Sequence, residues 1–128
     1  MEEKVMHRMR RGALTCTENT TIREVSQIMV VNRSRYCVVV NDRHEVTGII
    51  SARSILKAFG KDLDKTRASG ILLPYTVTIT PNSPLADAIQ LMATKKIEHL
   101  VVLSDRPGSK AVLGILSAAD IVGHMARN

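Results

Sequence analysis

Apolar and polar positions alternate along the chain in a pattern that changes period and then repeats. Short apolar runs typical of buried strands are followed by segments in which apolar residues recur every three or four positions, as on one helix face. In the first half, this pattern predicts strands at 14–17, 37–40 and 46–50, a helix from Ile22 and a second helix at about 52–59. The second half predicts the same elements in the same order: strands at 77–80, 100–103 and 112–116, and helices from Leu85 and at about 118–125.

The two halves also match in sequence. Thr15-Cys16-Thr17-Glu18-Asn19 aligns with Thr78-Ile79-Thr80-Pro81-Asn82 at an offset of 63 residues (78 − 15). Three additional residues at 107–109 raise the offset to 66 (114 − 48), so that Gly48-Ile49-Ile50-Ser51-Ala52 then matches Gly114-Ile115-Leu116-Ser117-Ala118. Because a hairpin loop between two strands tolerates such an insertion, the match indicates a duplicated structural unit.

We therefore predict an α/β (α+β) fold built from two tandem β-α-β-β-α repeats. Neither copy can cover both faces of its small sheet, so the two repeats are expected to pack together with pseudo-two-fold symmetry. The predicted segments are an N-terminal helix or arm at 1–12, a first repeat at 13–60, a connector at 61–70 and a second repeat at 71–128.

Composition argues against several classes of protein. Aromatic residues make up only 2% of the 128 residues, which disfavours nucleic-acid modules that stack bases on aromatic side chains. Cys16 and Cys37 lie in runs of Val, Thr and Ile and are expected to be buried free thiols. The first residues lack the apolar stretch of a signal peptide, and no apolar run approaches the ~20 residues that span a bilayer. We expect a cytoplasmic protein with no membrane partner.

The charge of the chain leaves two interpretations open. Lys and Arg outnumber Asp and Glu by 18 to 12, which gives a net charge of +6, and the excess is densest near the N-terminus and from Arg33 to Arg67. A basic surface favours an anionic partner, nucleic acid included. A solvated basic surface with no such partner would show the same pattern.

One motif carries candidate binding chemistry. The segment Gly114-Ile115-Leu116-Ser117-Ala118-Ala119-Asp120 lies where the last predicted strand meets the last helix. Gly114 would let a ligand approach the backbone, and Ser117 at the helix start would leave N–H groups facing an anion. Asp120 offers two acceptor oxygens to the vicinal hydroxyls of a ribose. Alternatively, Ser117 and Asp120 simply cap the helix.

The order of elements, the Val-Val-Val and Leu-Val-Val-Leu runs and this heptad together resemble a tandem pair of CBS domains, and the resemblance covers nearly the whole chain. The heptad is similar to the family's adenine-nucleotide signature: glycine, hydrophobic, any residue, Thr or Ser, two of any, Asp. The first copy has Ser54 at the position of that Asp. The resemblance therefore implies one competent and one degenerate site.

The resemblance also implies a function and a set of site residues. The expected function is a regulatory, energy-sensing module that binds AMP, ADP or ATP, with S-adenosylmethionine as a further candidate, and acts in trans on an unknown client protein. In CBS pairs the ribose Asp faces the first strand and pre-strand residues of the other copy. The implied nucleotide-binding residues are therefore Ala13, Leu14, Arg35, Tyr36, Ile115, Ser117 and Asp120.

Within this set, Arg35 is expected to meet phosphate, and Ala13, Leu14 and Ile115 are expected to enclose the adenine. The opposite site would combine Ser51 and Ser54 with Val77, Glu98 and His99, where the acidic Glu98 disfavours phosphate. CBS pairs also form flat dimers through their helices, so a homodimer is expected. The expected apolar stripe on the last helix consists of Ile121, Val122 and Met125.

Catalysis finds no support in the sequence. The four histidines show no metal-ligand spacing, and neither a Gly-x-Ser-x-Gly nucleophile motif nor a Gly-Lys-Ser phosphate loop occurs. We predict no catalytic residue, no metal and no catalytic cofactor. The alternatives to a nucleotide sensor are a nucleic-acid-binding protein that uses its basic surface and a dimerisation scaffold without a ligand.

Overall fold

The computed structural model describes residues 3–73 and 76–127. Residues 1–2, 74–75 and 128 of the predicted arm and second repeat lie outside the described residues. The strands are β1 (Arg10–Arg11), β2 (Thr15–Thr17), β3 (Tyr36–Val40), β4 (Val46–Ser51), β5 (Thr78–Ile79), β6 (His99–Leu103) and β7 (Val112–Ser117). The α-helices are α1 (Ile22–Val31), α2 (Ala52–Leu56), α3 (Leu85–Lys95) and α4 (Ala118–Arg127).

The chain divides into two units, each with its own sheet. Unit 1 comprises the residues up to Ala13 and from Val77 onward, and its sheet has the strand order β1-β7-β6-β5. Unit 2 comprises Leu14–Thr76, and its sheet has the order β2-β3-β4. In both units a parallel pair (β5 with β6, β2 with β3) adjoins an antiparallel pair (β6 with β7, β3 with β4). The predicted α/β fold with a duplicated β-α-β-β-α unit is confirmed.

The first helix of each repeat starts where the sequence places a cap or a proline. Thr21 precedes α1, and its hydroxyl accepts a hydrogen bond from the Glu24 amide at 3.2 Å, which satisfies one free N–H of the first turn. Pro84 precedes α3, where no backbone donor is needed. The residues three and four apart then face inward. The buried ones are Ile22, Val25 and Met29 in α1, and Leu85, Ala88 and Met92 in α3.

Each unit has an aliphatic core between its sheet and its helices. The core of unit 2 is centred on Ile22, Val25, Cys37, Val39 and Ile50, and that of unit 1 on Val5, Leu100, Val102, Leu116 and Ile121. Cys16 and Cys37 are both buried and free, as predicted. A hydrogen bond with Cys16, together with burial, raises the pKa of the Cys37 thiol, so this thiol stays protonated and packs as a small apolar side chain.

The second helix of the first repeat is shorter than predicted. The periodicity predicts a helix at 52–59, whereas α2 ends at Leu56. The amides of Ala58 and Phe59 donate to carbonyls only three residues back, at 2.9 and 3.1 Å, so the chain leaves the helix in tighter turns. Gly60, with a φ of 88°, completes the reversal. Apolar spacing alone does not distinguish these tight turns from an α-helix.

The last helix corrects the predicted apolar stripe. Ile121 is only 5% exposed and belongs to the core of unit 1, whereas Val122 and Met125 are 62% and 64% exposed. Successive helical residues are rotated by about 100°. Adjacent positions such as 121 and 122 therefore face different surroundings, and the exposed apolar surface of α4 excludes Ile121.

The N-terminal segment, residues 3–12, lies on unit 1 and is called strap 1. Its turn of 3-10 helix, Val5–His7, starts at the fully buried Val5, whose amide donates to the Ser83 carbonyl at 2.9 Å. The Leu85 amide donates in return to the Glu3 carbonyl at 2.8 Å. These bonds fix strap 1 against the start of α3.

Residues 66–73 form the matching strap 2 on unit 2. Its turn of 3-10 helix, Ala68–Gly70, starts at the buried Ala68, whose amide donates to the Thr20 carbonyl at 2.8 Å. The Ile22 amide donates to the Thr66 carbonyl at 2.9 Å. Every partner lies 63 residues before its counterpart in unit 1. The duplication therefore includes the two straps, and the strap of each copy lies in the unit built around the other copy.

Glycine makes room for both straps. β1 of strap 1 pairs antiparallel with β7, and a Cβ on Gly114 would overlap the carbonyl oxygen of Arg10. In unit 2, a Cβ on Gly48 would lie 2.8 Å from the Leu73 carbonyl oxygen. The space beside Gly114 is thus filled by backbone of the same unit. This corrects the interpretation that Gly114 serves the approach of a ligand.

Replacing this glycine tests the packing of strap 1. We expect Gly114→Ala to reduce the free energy of unfolding by about 1–3 kcal/mol, as overpacking does, because the neighbouring atom is backbone and cannot rotate away. Urea denaturation measures the loss. Gly70→Ala is the control, because no atom lies within 4 Å of a Cβ there. Equal stabilities of the two variants would contradict this account of Gly114.

Candidate functional site

The candidate site of unit 1 lies at the junction of β7 and α4. Ser117 ends β7 and is 9% exposed. Its hydroxyl accepts a hydrogen bond from the Asp120 amide at 3.2 Å and donates one to Asp120 Oδ2 at 2.9 Å. The serine thus caps the helix and fixes the carboxylate of Asp120. The capping interpretation of this pair is confirmed as a contact, and the same contact orients the carboxylate for a ligand.

Arg10 of strap 1 reaches the same carboxylate. Its Nε donates to Asp120 Oδ1 at 3.2 Å, so that a different protein group engages each oxygen of Asp120. The side chain of Arg10 is 73% exposed and that of Asp120 is 22% exposed. Sequence analysis missed Arg10, which lies 110 residues before Asp120 in a strand of two residues. The cluster of basic residues near the N-terminus was the only available signal.

The start of β6 forms the other side of this junction. His99 lies opposite Ser117 in the antiparallel register, and the Ala118 amide donates to the carbonyl of Glu98 at 2.8 Å. Burial lowers the pKa of His99, although the charge of Glu98 acts in the opposite direction. The imidazole of His99 is therefore neutral at neutral pH.

The equivalent junction in unit 2 has a different chemistry. Ser51 and Ser54 form a reciprocal capping box: the Ser54 amide donates to Ser51 Oγ at 3.0 Å, and the Ser51 amide donates to Ser54 Oγ at 3.4 Å. The two hydroxyl oxygens are 2.9 Å apart, and Ser54 is 2% exposed. A buried hydroxyl held in this way carries no charge and presents no pair of acceptor oxygens to a ribose.

The predicted site residues fall into both units. Ile115, Ser117 and Asp120 lie together around the β7–α4 junction, and Ala13 ends the N-terminal part of unit 1. Leu14, Arg35 and Tyr36 belong to unit 2. Their grouping with Asp120 stays a prediction.

Two of the residues in unit 2 have local contacts of their own. Leu14 packs against the core of its unit, and its carbonyl accepts a hydrogen bond from the Val38 amide at 2.8 Å. Tyr36 lies opposite Ser51 in the sheet, and the Arg35 carbonyl accepts from the Ala52 amide at 2.9 Å. Arg35 and Tyr36 therefore border the capping box of their own repeat.

Other kinds of site were sought in the same residues. Within 3–73 and 76–127, no group of three or more His, Cys, Asp or Glu side chains is placed to hold a metal ion. No helix in this part of the chain is long and apolar enough to cross a membrane.

Comparison with protein families identifies the fold at the sequence level. The family model described as the CBS domain matches twice, at residues 3–61 and 68–127. The chain belongs to the CBS domain family. The two matches begin within the two straps or at their first residue, which agrees with the extent of the structural duplication.

Individual relatives agree with this assignment. A CBS domain-containing protein of Arabidopsis thaliana, CBSX3, described as mitochondrial, is 28% identical over 116 residues, which cover 85% of this chain and 54% of that protein. This chain thus spans about half the length of that relative.

Two solved structures share the fold over nearly their whole length. The CBS domain pair of protein MJ0100, in complex with 5′-methylthioadenosine and S-adenosyl-L-methionine, has a TM-score of 0.87 at 20% identity and covers 99% of this chain and 98% of its own. A CBS domain protein from Pyrobaculum aerophilum, complexed with AMP, has a TM-score of 0.81 at 25% identity and covers 98% and 100% of the two chains.

Proposed function

We propose that this chain is a regulatory CBS-pair module that binds an adenosine-containing ligand through Asp120 and acts in trans on a partner protein. The ligand is an adenine nucleotide, AMP, ADP or ATP, or alternatively S-adenosylmethionine. The observation that carries the proposal is the Asp120 carboxylate, which is partly exposed at the signature position and oriented by Ser117.

The geometry of Asp120 suits a ribose diol. A carboxylate offers about four lone-pair sites, and Ser117 and Arg10 use one on each oxygen. Vicinal hydroxyls can donate to the two oxygens together, in charge-assisted hydrogen bonds that are stronger than neutral ones. Because Ser117 holds the carboxylate before the ligand arrives, less side-chain freedom is lost on binding.

The solved relatives support the class of ligand. The Pyrobaculum aerophilum protein, 25% identical, was crystallised with AMP, and the MJ0100 pair with two other adenosine derivatives. Adenosine is the part that these three ligands share. A site that holds the ribose by its diol and leaves the 5′ substituent to other residues would accommodate this range. We assign Ala13, Leu14 and Ile115 to the adenine and Arg35 and Tyr36 to the 5′ group.

The proposed role is regulation without catalysis. Binding of the ligand would change the packing or the association of the module, and the partner protein would respond to that change. If the ligand is AMP, ADP or ATP, occupancy follows the energy state of the cell.

Removing the carboxylate tests this function. We expect Asp120→Ala to weaken AMP binding by about one to three orders of magnitude, because it removes two charge-assisted hydrogen bonds worth at most ~1.5–3 kcal/mol each. Adenine alone should bind both proteins equally, since it lacks the ribose. Titration calorimetry gives the affinities, and thermal melting gives the folded fraction.

Asp120→Asn separates ligand binding from capping. It keeps one oxygen for Ser117 but lacks the charge, so it should lose AMP affinity while retaining most of the stability. If Asp120 only caps α4, both variants would lose about 0.5–2 kcal/mol of stability or less and bind AMP like the wild type. That result would overturn the proposed function.

We also propose that the chain forms a homodimer through its helices. Val122 and Met125 of α4 are exposed at helical spacing, and Leu56 and Phe59, 66 residues earlier, are 73% and 92% exposed. The same apolar positions are therefore exposed in both repeats. A second copy of this chain presents the same surface and can cover it.

The mass in solution tests the homodimer. Light scattering should give about twice 14.1 kDa at micromolar concentration, and the double variant Val122→Asp with Met125→Asp should be monomeric, because it buries charge in the interface. Val31→Asp is the control, since Val31 is 80% exposed at the end of another helix. A wild-type monomer at these concentrations would contradict the proposal.

A further inference from the structure

The ribose-binding carboxylate of the proposed site already has a cationic partner. Arg10 Nε donates to Asp120 Oδ1, while Ser117 occupies Oδ2. A ribose diol that binds both oxygens of Asp120 must therefore compete with Arg10, whereas Ser117 can keep its hydrogen bond. The Arg10–Asp120 pair is a contact within unit 1 that opposes the binding of any ligand at this carboxylate.

The position of Arg10 limits where its side chain can go when it is displaced. Its backbone is fixed by β1, which pairs with β7, and by the close approach of its carbonyl to Gly114. The guanidinium is mobile by comparison, because the side chain is 73% exposed. Released from Asp120, it remains beside the bound ribose and within reach of what the 5′ carbon carries.

We infer that Arg10 selects the ligand by the charge of its 5′ substituent. This inference rests on the proposed function of Asp120. A phosphate at the 5′ position compensates Arg10 for the loss of Asp120, because guanidinium binds phosphate through charge-assisted hydrogen bonds. A neutral 5′ group offers no compensation, and a cationic sulfonium repels the displaced guanidinium. The site therefore favours AMP over 5′-methylthioadenosine, and 5′-methylthioadenosine over S-adenosylmethionine.

The exposure of the pair indicates the size of each effect. An exposed ion pair contributes little, so removing Arg10 should strengthen the binding of 5′-methylthioadenosine by no more than about fivefold. A hydrogen bond between a guanidinium and a phosphate contributes more, so the same change should weaken AMP binding by about tenfold or more. The two effects have opposite signs, and their ratio is the most sensitive measure.

The experiment compares three ligands on four proteins. Titration calorimetry with AMP, 5′-methylthioadenosine and S-adenosylmethionine is carried out on the wild type, Arg10→Ala, Arg11→Ala and Arg35→Ala. Arg11 is the matched control, because it is the exposed neighbour in β1 with the same charge. For Arg10→Ala we expect the AMP to 5′-methylthioadenosine affinity ratio to fall by about tenfold or more, with tighter binding of S-adenosylmethionine.

Arg35→Ala distinguishes competition from simple phosphate binding. If Arg35 meets phosphate as proposed, its loss weakens AMP binding but does not tighten the binding of 5′-methylthioadenosine, because Arg35 does not occupy Asp120. An unchanged ratio in Arg10→Ala, or the same change in Arg11→Ala, would overturn the inference and leave the proposed function intact. If none of the three ligands binds the wild type, the proposed function is wrong and the inference falls with it.

Discussion

The close approach of strap 1 to β7 is the contact on which the candidate site depends. The carbonyl of Arg10 occupies the space that a side chain at position 114 would need, so glycine at this position is a steric requirement of the fold. The same approach places the Arg10 side chain beside Asp120. A single backbone contact thus determines both the stability of the sheet edge and the groups that surround the ribose-binding carboxylate.

The same scaffold holds two different junctions. Asp120 presents a charged pair of oxygens to solvent, whereas Ser54 is buried and uses its hydroxyl within a capping box. Both residues stabilise the start of a helix, so the fold tolerates either one. Only the aspartate adds an acceptor for a diol, and this difference explains how a duplicated fold can carry one competent site.

Apolar periodicity and internal repetition predicted most of the fold. Residues such as Val25 and Ala88 are buried where the helical spacing places them, and the insertion at 107–109 lies between β6 and β7. The straps were missed because Val5 and Ala68 are structurally equivalent but share little local sequence. Their place is determined by backbone hydrogen bonds to Ser83 and Thr20, which leave no pattern in the side chains. For the same reason the sequence showed Asp120 but not its partner Arg10.

The central claim is that the duplication has produced one ligand site and one structural counterpart. The stoichiometry of AMP binding, measured by titration calorimetry with the protein concentration known independently, tests this claim most directly. The account predicts one tight site per chain in the wild type and a second, weaker or absent site in unit 2. Two sites of equal affinity per chain would contradict it, because Ser54 would then replace the aspartate without loss.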